Sequence, residues 1–356
     1  MKNVLKFQVK AFALMAILLI SIVGTLSAEK IAIIDAGSSG SRLYVYDVNK
    51  NEGKISIVYP STPEQKDNSK GRALSGVANH NDSVRVFLQT MTDMYDSGNN
   101  AEKIPLYVLA TAGMRLVDED KANSIYNMMH SQPREYNRFR LVTAMTISGR
   151  YEGLYAWIAA NYKNGSLGFS TSTPEKPLTY TGITHGILEI GGASMQIAFA
   201  ANEKCATCIS RKGFAHIYSK SYLGGGVDKV YDKHRNENPP VFTEVPNPKD
   251  VSNLYGSDLK FIGLGRPIGT VLKEAKSNSN SVEDLKRYAD SLPNNDSPVN
   301  FHPWINAQYI VWVVKSLNLG RKLSKPDKES DWTEGAALDI LINNMPPEKF
   351  DYQNQN

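Results

Sequence analysis

Cysteine is almost absent. The chain holds two in 356 residues, Cys205 and Cys208, set as CATC. That excludes a disulfide-built scaffold. Histidine is scarce too: six, at 80, 130, 185, 216, 234 and 302, with neither helical nor finger spacing. A single cysteine pair without spaced histidines excludes a structural zinc site. Excess charge of one sign is missing. Forty basic residues stand against 36 acidic ones, a formal +4. Three of the lysines, Lys2, Lys6 and Lys10, and no acid fall in the first 28 residues, so the remainder carries about +1. A nearly neutral body argues against nucleic acid as a partner. Collagen-like, coiled-coil and low-complexity tracts are absent as well. What is left is a globular chain long enough for two lobes.

What is present begins with a leader. The three lysines precede an apolar run from Ala11 to Val23, then the small-residue exit GTLSA. The run is short for a bilayer, and this order of features is that of a secretory signal peptide, residues 1–28, cleaved near Ala28. The alternative is an uncleaved N-terminal anchor. No stable membrane span is expected after cleavage, and the protein is expected in the periplasm or outside the cell. Export would make Cys205 and Cys208 a small surface disulfide; in a reducing compartment the pair would read as redox-active or as half a metal site.

Strand and helix patterns then intermix, which places the chain in the α/β class. Helical periodicity is expected at 81–97, 118–129, 148–162, 304–319 and 332–345, and strands at 103–116 and 138–145. Residues 163–184, and most of 201–260, read as loops rich in Gly, Ser, Thr and Pro. Two segments share one pattern. IIDAGSSGSRLYVY (33–46) and ILEIGGASMQIAFA (187–200) each run apolar strand, acid, Gly-rich turn, apolar strand. Asp35 falls on Glu189, Gly37 on Gly191, Ser39 on Ala193 and Leu43 on Ile197. Such repetition implies duplicated lobes that face each other, against chance likeness of two hairpins.

A turn of Gly and Ser exposes successive backbone N–H groups and lets an anion approach the main chain. A neighbouring carboxylate would repel phosphate unless a divalent cation stood between them. Asp35 and Glu189 are therefore the candidate metal acids, direct or through water, for Mg²⁺ or Ca²⁺. Taken alone, each hairpin is also compatible with an ordinary turn. Glu152, in the Ser-Gly opening of a helix, is a candidate general base, or else an acid placed favourably on the helix dipole.

Five motifs, DAGSSGSRLYVY, ATAGMRL, SGRYEGLYAW, IGGASMQIAF and WTEGAALDILINNMPPE, occur in order from residue 35 to 348. Together they resemble the apyrase family, the nucleoside triphosphate diphosphohydrolases. The resemblance implies an actin-like (ribonuclease H-like) duplicated two-lobe fold with the active site in the interlobe cleft. Lobe I would comprise 29–160 plus 325–356, and lobe II 161–324. It implies a monomeric, exported nucleotidase in which water attacks the terminal phosphate of nucleoside tri- or diphosphates directly, assisted by metal. By position, Glu152 resembles the catalytic base, Ser194 and Gln196 the residues that orient the water, and Thr111 a residue near metal and water. Ser38, Ser39, Gly40 and Ser41 match one phosphate turn; Gly191, Gly192 and Ala193 match the other. Arg42 is assigned to substrate phosphate; both Arg42 and Arg115 also read as arginines held structurally between turns. Trp157 and Trp332 read as core. Two departures stand out: Glu189 where the family usually has Asp, and Arg150-Tyr151 before Glu152.

Two other readings compete. An exopolyphosphatase or guanosine pentaphosphatase-like hydrolase would share the lobes and the acid base; preference for polyphosphate over ATP would reveal it. A non-hydrolysing actin-like nucleotide-binding protein would assemble without turnover, which light scattering would detect.

Overall fold

A computed structural model describes residues 29–353, except 69, 96–102, 133–134, 137, 171, 173–175, 238–239, 244–255, 257, 276–281, 294–297 and 320–322. The leader expectation falls on residues 1–28, outside the described residues.

The first lobe opens with β1 (Glu29–Ala36), β2 (Ser41–Asn49) and β3 (Lys54–Tyr59). There follow α1 (Pro63–Asn68), β4 (Lys70–Gly71), α2 (Asn81–Asp93), β5 (Ile104–Ala110), α3 (Ala112–Arg115), α4 (Glu119–Ser131), β6 (Glu135–Tyr136) and β7 (Phe139–Thr146). The main sheet order is β3-β2-β1-β5-β7, its first two pairings antiparallel and its last two parallel. The middle of β1, residues 31–34, is an unbroken apolar run because both of its faces are covered. Ile31 and Ile33 enter the core between the lobes, while Ala32 and Ile34 enter the outer core with Phe87 and Leu88 of α2 and Ile125 of α4.

After α5 (Gly149–Lys163) and the short hairpin β8 (Leu167–Phe169) and β9 (Leu178–Tyr180), the second lobe repeats the scheme. Its strands are β10 (Gly186–Ile190), β11 (Ser194–Ala200), β12 (Ile209–Arg211), β13 (Phe214–Leu223), β14 (Phe261–Leu264) and β15 (Leu323–Ser324). Between them lie α6 (Val227–His234), α7 (Arg266–Glu274), α8 (Val282–Ser291) and α9 (Pro298–Ser316); α10 (Trp332–Asn343) ends the chain's regular structure. The order β13-β11-β10-β14-β15, two antiparallel pairings and then two parallel ones, matches lobe I. The register matches as well. Asp35 opposes Arg42 in the first hairpin, and Glu189 opposes Gln196 in the second. The Gly37 N–H donates to the Gly40 carbonyl at 3.1 Å, and the Gly191 N–H to the Ser194 carbonyl at 3.0 Å. The fold is the duplicated, actin-like α/β arrangement that the repeated hairpins imply.

Helices α5 and α10 fill the space between the sheets. Both are buried nearly all round, as largely apolar helices must be, and the charges they bury, Glu152, Glu334 and Asp339, are each ion-paired. They touch so closely that a Cβ on Gly335 would run into the Tyr155 carbonyl oxygen. The helices cross over between lobes. α5 follows the last lobe I strand yet lies on the lobe II sheet, where Ser219 of β13 donates to the Arg150 carbonyl at 2.6 Å. α10 follows the last lobe II strand yet packs on lobe I, where the hydroxyls of Tyr46 and Thr333 bond at 2.7 Å. The expected lobe boundary at 160/161 thus falls inside α5. A buried bidentate pair, Arg211 to Asp339 at 2.9–3.0 Å, pins β12 to α10.

The loop expectation for 163–184 and 201–260 was too broad. The first stretch carries the β8–β9 hairpin, and the second carries β12, β13 and α6. β13 is hard to read because polar His216, Ser219, Lys220 and Ser221 interrupt its apolar residues. Its extended form is fixed by continuous pairing with β11, a tertiary effect that overrides local preference.

Candidate active site

The two matching turns meet across the cleft between the lobes. Ser38, Ser39, Arg42, Thr111, Glu152, Glu189 and the run 191–194 all line one cleft of about 880 Å³, together with Asp35. The turns approach so closely that a Cβ on Gly192 would collide with the Asp228 carboxylate and come within 3.1 Å of Ser38 Oγ. Turn two is braced from below: the α6 N–H groups of Val227 and Asp228 donate to the carbonyls of Gly191 and Gly192, both at 2.9 Å. Thr111 is placed by its own N–H, which donates to the Ala36 carbonyl at 3.2 Å. Two expected turn residues do not line the cleft. Ser41 is fully buried, and its hydroxyl donates to the Arg72 carbonyl at 2.9 Å. Gly40 serves through its carbonyl, which closes the turn. The strand alternation that begins at Ser41 turns its side chain inward.

Glu152 sits in the first turn of α5 and is 7% exposed. Its Oε2 accepts from the Arg115 guanidinium and from Gln196 Nε2, the latter at 3.2 Å. Its Oε1 accepts no hydrogen bond among the described residues, and the residue lines the cleft. Gln196 Nε2 also donates to Ser194 Oγ at 2.7 Å and to Ser221 Oγ at 3.1 Å. Arg115 is buried; its Nε donates to the Ile147 carbonyl at 3.1 Å and it reaches Ser221 Oγ at 3.4 Å. Its place is therefore behind the candidate base, and it does not line the cleft. A lone helix-dipole role for Glu152 does not account for this convergence of donors on one oxygen.

Six carboxylates line the cleft, and four of them, Asp35, Glu152, Glu189 and Asp331, act on one another's charge. Burial pushes Asp35 well above the usual carboxylate range; the charges of Asp331 and Glu152 add to this, and Arg42 opposes it. Burial also raises Glu189, reinforced by Glu152, Asp331 and Asp35 and opposed by Arg115. Glu189 Oε2 is buried with no hydrogen-bond partner among the described residues. Such a cluster suits a hard cation with oxygen ligands. Among the described residues no group of three or more His, Cys, Asp or Glu gathers closely enough to ligate a metal directly.

Asp331 escaped sequence reading, which left it in a loop. It caps α10: Oδ1 accepts from the Thr333 N–H at 2.9 Å and the Thr333 hydroxyl at 2.6 Å, while Oδ2 accepts from the Tyr44 hydroxyl at 3.0 Å. Burial first, then the charges of Asp331 and Asp35, raise the Tyr44 phenol and keep it a donor. The DWTE string is a legible capping signature, Asp followed three residues later by Glu. Nothing in it signals a cleft carboxylate.

The far wall is built by lobe II. Arg266, Pro267 and Thr270 of α7, Tyr288 of α8, and His302 and Asn306 of α9 line the cleft. His302 stands edge-on to Tyr231 at 4.4 Å and lies 3.9 Å from the Asp228 carboxylate. Trp157 and Trp332 are both core, as expected; Trp332 also reaches the cleft and stacks on Tyr155 at 6.4 Å. Cys205 and Cys208 form a disulfide, and Arg150 donates to the Thr207 carbonyl within its loop at 3.0 Å.

Residues 27–238 match the GDA1/CD39 (nucleoside phosphatase) family. The chain belongs to this family. Relatives include nucleoside-diphosphatase mig-23 of Caenorhabditis briggsae, 32% identical over 47% of this chain and 32% of that one. Ectonucleoside triphosphate diphosphohydrolase 3 of Homo sapiens is 31% identical over 61% of this chain and 43% of that one. The chain thus spans about a third to two-fifths of the length of these curated relatives. Among solved structures, nucleoside triphosphate hydrolases of Neospora caninum superpose with a TM-score of 0.63 at 12% identity, over 94% of this chain and 97% of theirs. The PPX-GPPA enzyme of Aquifex aeolicus gives 0.52 at 15% identity, over 87% and 99%. These structural likenesses establish a shared fold, and the family match adds the nucleoside phosphatase lineage.

Proposed function

We propose that this family member hydrolyses the terminal phosphoanhydride of nucleoside tri- and diphosphates. The observation that carries the reading is Glu152, held by Arg115 and Gln196 through one oxygen, with its other oxygen free beside two opposed Gly-rich turns. Glu152 Oε1 takes a proton from water as the water oxygen bonds to the terminal phosphorus. The bridging P–O bond breaks, and orthophosphate and the shortened nucleotide leave. Ser194, fixed by Gln196, and Thr111 orient the water. Backbone amides of the two turns and Arg42 hold phosphate oxygens as charge builds. Asp35 and Glu189 would hold Mg²⁺ or Ca²⁺ through water, and when bound the cation neutralises phosphate charge. Asp228, Tyr288 and His302 line the wall of the cleft opposite lobe I and are the groups available to the nucleoside.

Phosphate release from ATP, ADP, GTP, UTP and polyphosphate, with each ion and with chelator, tests this. Release from polyphosphate alone would overturn it in favour of the exopolyphosphatase-like reading. Filaments without release would favour the assembly reading. We further infer export to the periplasm or beyond, supported by the leader pattern and the disulfide. Recovery of the protein from the cytosol with Met1 in place would refute export.

A further inference from the structure

Beside the catalytic cleft lies a second cavity of about 680 Å³. The two adjoin across Arg42, Tyr44, Lys70, Arg266, Glu329 and Asp331, which line both. They differ in sign. Six carboxylates line the cleft, against three Lys or Arg side chains. Five cations, Arg42, Lys66, Lys70, Lys163 and Arg266, line the side cavity, against three carboxylates. Those three are already engaged. Glu329 pairs with Lys66 at 2.6 Å, Glu334 pairs with Lys163 at 2.8 Å, and Asp331 accepts from Tyr44 and Thr333. Lys70 and Arg266, which come from opposite lobes, make no ion pair among the described residues. The hydroxyl of Ser330 lines the same cavity and is buried with no hydrogen-bond partner among them.

Two cations without an ion pair among the described residues and an idle hydroxyl donor, all lining one cavity, call for an anion with several acceptor oxygens. We propose that the side cavity is an orthophosphate site that receives the phosphate released in the cleft and passes it out between the lobes, an inference that rests on the hydrolytic reading above. While the phosphate is part of the nucleotide, the turns hold it among the cleft carboxylates. Once cut loose it is drawn to Lys70 and Arg266 on the border that the two cavities share, and the Ser330 hydroxyl, which lines the side cavity alone, draws it across. This gives the product a direction of exit away from Tyr288 and His302, which line the cleft and not the side cavity.

Lys66→Glu and Ser330→Ala test this, singly and together. Lys66 is exposed and the Ser330 hydroxyl bonds to nothing described, so neither change threatens the fold. In the double variant the inhibition constant for added orthophosphate should rise about tenfold. Phosphate release followed by a fluorescent phosphate sensor should slow, while the KM for nucleotide stays unchanged. An unchanged inhibition constant would overturn the site. An equal rise in KM would overturn it too, because the cavity would then hold substrate phosphates. Calorimetric titration of orthophosphate alone separates this inference from catalysis. Weaker binding in the double variant supports the site even where no nucleotide is cut. Equal binding with normal turnover removes the site and leaves the hydrolytic reading standing.

Discussion

Arg115 should matter as much as the base it holds. It donates to Glu152 Oε2, to the Ile147 carbonyl at 3.1 Å and to Ser221 Oγ at 3.4 Å, with its side chain 1% exposed. Those contacts use the fork of the guanidinium, which a lysine cannot reproduce from one ammonium. Arg115→Lys keeps the charge and loses the geometry. A misplacement on the order of 1 Å at a catalytic group costs about 10²-fold, so kcat should fall by about that factor while KM changes little. Arg115→Met removes the charge as well. Leaving a buried carboxylate without its counterion costs about 3–5 kcal/mol. In a chain of this size that lowers Tm by roughly 4–7 °C. The assay is steady-state phosphate release on both variants, paired with thermal melts. Wild-type kcat in Arg115→Met would show that Arg115 does not position Glu152, and the convergence on Oε2 would then lack catalytic meaning.

Other outcomes follow from the same geometry. Glu152→Gln should lower turnover by about 10²–10⁴-fold with nucleotide binding retained by equilibrium titration; near-normal turnover removes it as base. Glu189→Asp should change the relative activity with Mg²⁺ and Ca²⁺, because Mg²⁺ tolerates less change in ligand distance, and Glu189→Ala should weaken activity with every ion; an unaltered ion ranking in both would make Glu189 structural. Reducing Cys205–Cys208 should leave the fold and most activity intact, since so short a loop constrains little; loss of the melting transition on reduction would contradict this. Glu334 is raised from 4.5 to about 6, by burial above all. A raised carboxyl stabilises the fold below its unfolded value and loses that contribution as pH climbs through its folded one, so wild type should lose about 2 kcal/mol between pH 4.5 and 6 that Glu334→Gln keeps. Parallel stability curves for the two proteins across that window would refute the shift.

The sequence exposed the parts of the site that depend on local pattern. Gly-rich turns after apolar strands are visible because glycine and serine punctuate the alternation, and the recurrence of acid, glycine and small residue disclosed the second lobe. Residues whose role depends on packing were less legible. Ser41 looks like another turn hydroxyl until strand pairing turns it to Arg72. Arg115 reads equally as a phosphate ligand or a structural residue until α5 brings Glu152 against it. Asp331 belongs to a polar loop in sequence and joins the cleft only because α10 returns to lobe I. β13 was lost among loop residues because its polar side chains mask a strand that pairing alone sustains.

The duplication gives two nearly identical frames, and the chemistry comes from where they differ. At the position opposite each acid, the first hairpin carries Arg42 and the second Gln196. A cation opposite Asp35 offsets part of the rise that burial imposes on that carboxyl and offers charge to phosphate. A neutral amide opposite Glu189 does neither; it can donate to a carboxylate without neutralising it. The crossing of α5 onto the lobe II sheet then sets Glu152 over Gln196 and away from Arg42. Had α5 stayed on its own sheet, the base would have faced a guanidinium at the phosphate turn, and an ion pair there would compete with substrate for the same cation. On the proposed hydrolytic reading one half grips phosphate and the other orients water, from the same strand order and the same register. Exchanging the two residues, Arg42→Gln with Gln196→Arg, should abolish turnover while leaving the fold intact by circular dichroism. Retained activity in that double variant would mean that the two turns are interchangeable and that the asymmetry has no catalytic role.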